Sequence, residues 1–165
     1  LEIRRYEAHI VARTRVVKEF GRAGNEGFRR LAGYIFGGND MGKNIEMTAP
    51  VTQASSENSS VEAYWMTFHI PREFSLEDLP VPDDSLVELV VESEKTMAVL
   101  KYKGNWSASR YRHYESKLQV LLAHSHKWVG QGVPYWARYN SPFMPGFMRT
   151  NEVAIEVTAP GKLSL

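Results

Sequence analysis

At 165 residues, with 20 Lys+Arg against 19 Asp+Glu, the chain is long enough to bury a real core as one domain or two fused halves. A net charge of +1 supplies no phosphate-tracking surface, so nucleic acid is not an expected partner. The lack of cysteine excludes disulfide and thiolate chemistry, and no apolar run reaches the length of a membrane span.

Residues 3–18 alternate, with Tyr6, Ala8, Ile10, Ala12, Thr14 and Val16 on one side and Arg5, Glu7, His9, Arg13 and Arg15 on the other. This predicts a strand with one buried and one wet face, His9 being on the wet one. A helix follows. Phe28, Leu31, Ala32 and Ile35 fall at i, i+3, i+4 and i+7, and Glu26 and Arg30 make an i,i+4 pair on the opposite side. Gly37 and Gly38 end it. From residue 44 the period changes to two, predicting a strand over 44–52 that Pro50, lacking an amide donor, confines to an edge or breaks near its end.

Residues 53–60 (QASSENSS) read as an exposed, mobile polar loop. Residues 61–70 carry large apolar groups on both faces, as in a strand covered on both sides. The three prolines of 71–84 mark an ordered connection and a seam between halves. Strands at 85–92 and 95–103 then flank a tight turn at 92–94, and Ser107 caps a helix to about residue 128. Tyr111, Tyr114, Leu118, Leu121, Leu122 and Val129 form its buried stripe, with His113, His124 and His126 on its outer face or border. Two strands, 133–140 and 151–158, close the order. Between them Phe143, Met144, Phe147 and Met148 crowd a loop that is either a lid on the core or a surface for a membrane or protein partner.

The order predicts an α+β chain, 1–165 as a single domain of two similar halves at about 1–75 and 84–158. Each half is β-α-β-β, together a distorted antiparallel β-barrel flanked by two helices. The compartment stays open, with the cytoplasm favoured; a removed N-terminal signal or anchor would leave no trace.

EIRRY at 2–6, GFRRLAGYIFGGN at 27–39 running into MTAPV at 47–51, and ARYNSPFMPGFMRTNEVAIEV at 137–157 together closely resemble the SOUL family of haem-binding proteins. The resemblance covers nearly the whole chain. It implies the duplicated fold just described and reversible binding of haem (haem b) or another tetrapyrrole, as carrier, buffer or sensor, with no agreed enzymatic reaction. It further implies a porphyrin held against the first helix by apolar contacts, with basic side chains near the propionates. On this chain the matching patch is Phe28, Leu31, Ala32 and Ile35, together with Asn25. The basic positions of animal relatives fall at Asn25 and Gly33. Arg22 and Arg29, seven apart, share one helix edge and suit propionates, because a guanidinium forks onto a carboxylate. Where some relatives have a proposed axial histidine, this chain has Arg5 and Tyr6, so no metal ligand is assigned.

An alternative is a small-molecule hydrolase or ligand-binding domain, since the fold is similar to that of GyrI-like domains. Glu46, Glu152 and Glu156, with Trp65, Trp136 and Tyr139, are residue types suited to a cavity acid among aromatics. Without a catalytic spacing motif, the strand glutamates are expected to face solvent.

Overall fold

The computed structural model describes residues 1–56, 60–141 and 143–161. In chain order these form β1 (Glu2–Tyr6), β2 (His9–Val16), α1 (Phe20–Ile35), β3 (Val51–Ser55), β4 (Tyr64–His69) and β5 (Glu88–Glu92). They continue with β6 (Lys95–Lys103), α2 (Ala108–Ser125), β7 (Val129–Arg138) and β8 (Thr150–Thr158). The chain divides into two compact units, one of Ala8–Ser93 and one of Leu1–Glu7 with Glu94–Leu165.

Each unit is a four-stranded sheet carrying one helix, with antiparallel pairing at every ladder. The strand orders are β3-β4-β2-β5 and β7-β8-β6-β1. They match term by term: β2-α1-β3-β4 repeats as β6-α2-β7-β8, and β5 and β1 are the equivalent edge strands. The α+β class and the duplicated halves are therefore as the sequence predicts. The edge strands show one crossing that alternation cannot reveal. β1 precedes β2 in the chain but pairs with β6, and β5 runs into β6 but pairs with β2. The predicted hairpin of 85–92 with 95–103 thus does not form. Ion pairs accompany the observed choices: Arg13 on β2 meets Glu88 at 2.6 Å, and Arg5 on β1 meets Glu94 at 2.7 Å.

In the Ala8–Ser93 unit, Ala12, Val51, Met66 and Phe68 on the sheet pack with Leu31, Tyr34 and Ile35 of α1 into one core. Small residues let the helix sit close. A Cβ on Gly27 would lie 2.2 Å from Met66 Cγ. Two expectations for this unit are corrected. Residues 44–50 do not form a strand, because Ile45 donates its amide to Ile35 O at 2.7 Å and so satisfies a carbonyl of the helix end. β3 instead starts after Pro50 and takes in Gln53, expected on a polar loop. Gln53 is buried, its Nε2 donating to Phe20 O at 3.0 Å; residues 57–59 of that expected loop lie outside the described residues. The proline-rich 71–84 segment lies within this unit and is tied to the turn after α1 by Asp40 N to Val81 O and Asp83 N to Gly38 O, both 3.0 Å.

In the other unit, Ser107 caps α2 by accepting from Arg110 N at 3.3 Å. The helix stops at Ser125, short of the expected end, because His126 adopts a left-handed conformation at φ 53°. Tyr111, Leu118 and Leu122 are buried on it, while Val129, expected in the stripe, is 46% exposed at the start of β7. Tyr102 of β6 stacks on Tyr114 with centroids 4.0 Å apart, and Tyr111 stacks on Trp136 at 5.5 Å. His113, His124 and His126 are exposed.

Candidate functional site

α1 begins where the Glu19 side chain accepts from Arg22 N at 2.7 Å and Gly21 N at 2.9 Å. Those two backbone hydrogen bonds hold the Glu19 carboxyl below the ordinary carboxylate range. One side of the helix, Phe20, Ala23, Gly24, Gly27, Leu31, Tyr34 and Ile35, is sealed against the sheet. The Tyr34 hydroxyl donates to Pro80 O at 2.8 Å, and burial pushes its pKa up to about 12. Opposite this side, Arg22, Asn25, Arg29 and Gly33 are exposed.

Between the sealed and the wet sides runs an apolar flank. Phe28 (36% exposed), half-buried Ala32 and Phe36 (64% exposed) follow one another at i, i+4 and i+8. At 1.5 Å rise per residue this row is about 12 Å long. Phe28 is anchored edge-on to Phe68, centroids 5.4 Å apart, so its outer face is held in place. Arg22 and Arg29 lie within about 20° of each other around the helix by its 3.6-residue period. Their side chains are 81% and 80% exposed, with long contacts to Glu19 (3.9 Å) and Glu26 (4.0 Å) among the described residues. Arg30, by contrast, is committed to the protein: it reaches Glu26 at 3.1 Å and Arg15 O at 3.1 Å.

The seven residues singled out in sequence thus divide. Arg22, Asn25, Phe28, Ala32 and Arg29 lie on the outer side or the flank, whereas Leu31 and Ile35, at 0% and 1% exposed, belong to the core. Phe36 completes the flank. The helical stripe read from the sequence stops at Ile35 and leaves Phe36 out, although its i+8 spacing from Phe28 is visible in the sequence.

Two polar clusters also emerge. His9, expected on a wet face, is half-buried, with its ring 5.0 Å from that of His69 and its Nε2 3.8 Å from Glu92. β2 lies between β4 and β5, and the His69 and Glu92 side chains of those strands flank His9 and shield its ring in part. In the other unit Glu152, expected to face solvent, is 4% exposed. Arg4 Nη1 approaches its Oε1 at 2.9 Å and the Tyr139 hydroxyl donates to its Oε2 at 2.7 Å. Burial, and then this bond to the carboxylate, raise the Tyr139 pKa, so the phenol stays protonated as donor. Glu46 and Glu156 are exposed. Among the described residues no three His, Cys, Asp or Glu side chains gather as a metal site, and no helix is long and apolar enough to cross a membrane.

Fold and flank together define an α+β chain of duplicated halves whose first helix turns an aromatic, arginine-edged side outward. The family model described as "SOUL heme-binding protein" matches residues 1–156, and the chain belongs to that family. It is similar to "Heme-binding protein 2" of Homo sapiens, 33% identical over 156 residues, covering 92% of this chain and 75% of that protein. Against "Heme-binding protein 2" of Mus musculus it is 33% identical over 130 residues, 77% of this chain, and spans 62% of that protein's length. Among solved structures, the C-terminal domain of EcmrR has the same fold, with a TM-score of 0.68 at 12% identity and 96% of each chain covered.

Proposed function

We propose that the chain binds a tetrapyrrole, haem b or another dicarboxylic porphyrin, on the outer flank of α1 and passes it on reversibly. The observation that carries this reading is the Phe28, Ala32, Phe36 row, exposed beside two arginines that are about 80% exposed and make long contacts to Glu19 and Glu26. A porphyrin is a flat apolar disc with carboxylates on one edge. The row offers its rings to the disc, and Arg22 and Arg29 offer forked donors to the propionates. Membership of the SOUL family and likeness to proteins named for haem binding support the ligand class. A face covers only one side of the guest, whereas pockets enclose most of it, so contact of this kind suits a carrier or buffer more than a permanent cofactor.

The hydrolase alternative would rest on Glu152, the only buried glutamate among those considered. Arg4 and Tyr139 occupy both its oxygens, which suits an internal anchor better than an acid waiting for substrate.

Haemin titration of the purified protein tests the reading. A saturable Soret shift at micromolar protein is expected, and replacing both Arg22 and Arg29 by Gln should weaken it about three- to thirtyfold, as loss of two exposed charge pairs worth up to about 1 kcal/mol each implies. No saturable shift in the parent protein would overturn it.

A further inference from the structure

The loop joining β7 to β8 exposes several large apolar side chains, yet hydrogen bonds and close packing hold it. Phe143 is 95% exposed, Phe147 76% and Met148 49%, while Met144 is half-buried; Pro142 lies outside the described residues. Gly146 sits against Asn105 so tightly that a Cβ there would fall 1.4 Å from Asn105 Oδ1. Arg149 Nε donates to Met144 O at 2.9 Å while its guanidinium lies 4.2 Å from the Trp106 ring centre. Met148 N to Pro145 O at 2.9 Å and Phe143 N to Ser141 Oγ at 3.2 Å shape the tip. Two phenylalanines are thus held out in water on an ordered support, where a loop serving as a core plug would have turned them in.

The base of this support is cationic. Gly104 N donates to Arg149 O at 3.1 Å and Trp106 Nε1 to Asn151 Oδ1 at 2.8 Å, which brings residues 101–112 beside residues 138–150. These two segments contain Lys101, Lys103, Arg110, Arg112, Arg138 and Arg149 and no acidic residue, in a chain whose net charge is +1. Lys103 is paired in register with Thr150 at the foot of the loop, and the Arg110 guanidinium lies over Gly104. Exposed rings on a loop whose foot carries Lys103 and Arg110 match a surface that is apolar inside and anionic at its rim.

We infer that the Phe143, Phe147, Met148 tip is a membrane-docking surface for anionic phospholipid, with the phenylalanines entering the acyl boundary and Lys103 and Arg110 meeting headgroup phosphates. Neutral lipid would satisfy the rings alone, and an acidic protein the cations alone; the combination selects an anionic bilayer. The surface belongs to a different unit from α1 and does not depend on tetrapyrrole binding.

The test is co-sedimentation of the haem-free full chain with vesicles of equimolar phosphatidylcholine and phosphatidylserine, and with vesicles of phosphatidylcholine alone. Binding to the first set, at least about tenfold weaker binding to the second, and a fall as salt is raised are expected. Replacing both Phe143 and Phe147 by Ala should lower binding at least about tenfold without altering circular dichroism, since neither ring is buried. Replacing Lys103 and Arg110 by Gln should weaken binding and flatten its salt dependence. No sedimentation, equal binding to both vesicle types, or binding untouched by loss of the two rings would overturn the proposal. So would an oligomer that the Phe143 and Phe147 replacements convert to monomer, since the occupant would then be a second copy of the chain.

Discussion

Arg4 and Glu152, 148 positions apart in the chain, meet at 2.9 Å inside the sheet of their unit. The contact joins β1, which lies at the edge of that sheet, to β8, two strands in. β1 itself contributes only five residues, paired with β6. Arg4 also reaches the Tyr6 hydroxyl at 3.3 Å, so guanidinium, carboxylate and two phenols form one network over Met97, Val99 and Ala154.

Removing one member of the pair strands the other. Arg4→Met should leave the Glu152 carboxylate, 5% exposed, without its cation. The expected loss is about 2–3 kcal/mol, below the 3–5 typical of a fully buried pair because Arg4 keeps some contact with water. Chemical denaturation measures it. In the double variant Arg4→Met, Glu152→Gln the cost should be smaller than in Arg4→Met alone; a larger cost would show that the pair is not what anchors β1.

How much of this was legible beforehand depends on where each residue's partner lies. The helix face of Leu31 and Ile35 and the alternation of Val153, Ile155 and Val157 follow from periodicity, which local sequence carries in full. Strand pairing does not. The pairing of β1 with β6 and of β5 with β2 joins residues distant in sequence, which local alternation does not encode. Glu152 looked solvent-facing for the same reason: alternation marks it as opposite to Val153, but only the fold brings Arg4 to it. At the candidate site, period separated apolar from polar positions; what it missed was the boundary row, where Phe28 stays outside while Leu31 goes in.

Two glycines of α1 should respond oppositely to alanine. Gly27→Ala places a Cβ 2.2 Å from Met66 Cγ and 2.6 Å from Met66 Cβ, so the helix must move off the sheet. Overpacking of this kind costs about 1–3 kcal/mol, more than the roughly 1 kcal/mol that alanine gains over glycine in a helix. Gly33→Ala meets nothing within 4 Å and should stabilise by up to about 1 kcal/mol. Thermal melts of the two variants decide it, and stabilisation by both would mean that α1 is not seated as closely as Gly27 indicates.

Stability should fall on acidification through two glutamates of α1 and its cap. Backbone hydrogen bonds lower the pKa of Glu19, and the hydrogen bond from Lys18, with Arg30 nearby, lowers that of Glu26. A carboxyl whose pKa is lower in the folded state adds stability above its unfolded value, and that stability is lost as pH falls through the folded one. The contribution is therefore complete at neutral pH and begins to go as pH drops below the ordinary value of 4.5. Denaturation midpoints from pH 7 downward should decline below that point, and in the double variant Glu19→Gln, Glu26→Gln the decline should be shallower. An unchanged slope would assign the acid sensitivity to other groups.

Binding and folding can be separated on the flank of α1, because Phe36 lies on it without supporting the core. At 64% exposed, Phe36→Ala should change stability by no more than about 0.5 kcal/mol while weakening haemin binding roughly threefold to tenfold, the share of one aromatic contact of about 0.5–1.5 kcal/mol. Leu31→Ala should do the reverse. It opens a cavity at a fully buried site, costing about 2–5 kcal/mol, and leaves haemin affinity of the folded protein near that of the parent. Asn25→Lys restores a cation where the animal pattern has one, beside Arg22 and Arg29, and should tighten haemin about two- to fivefold in a salt-sensitive way. Absorbance titrations at two ionic strengths, alongside melts, check all three. If Leu31→Ala abolished binding at temperatures where it stays folded while Phe36→Ala left it intact, the guest would have to enter the core, and the outward face of α1 would not be its seat.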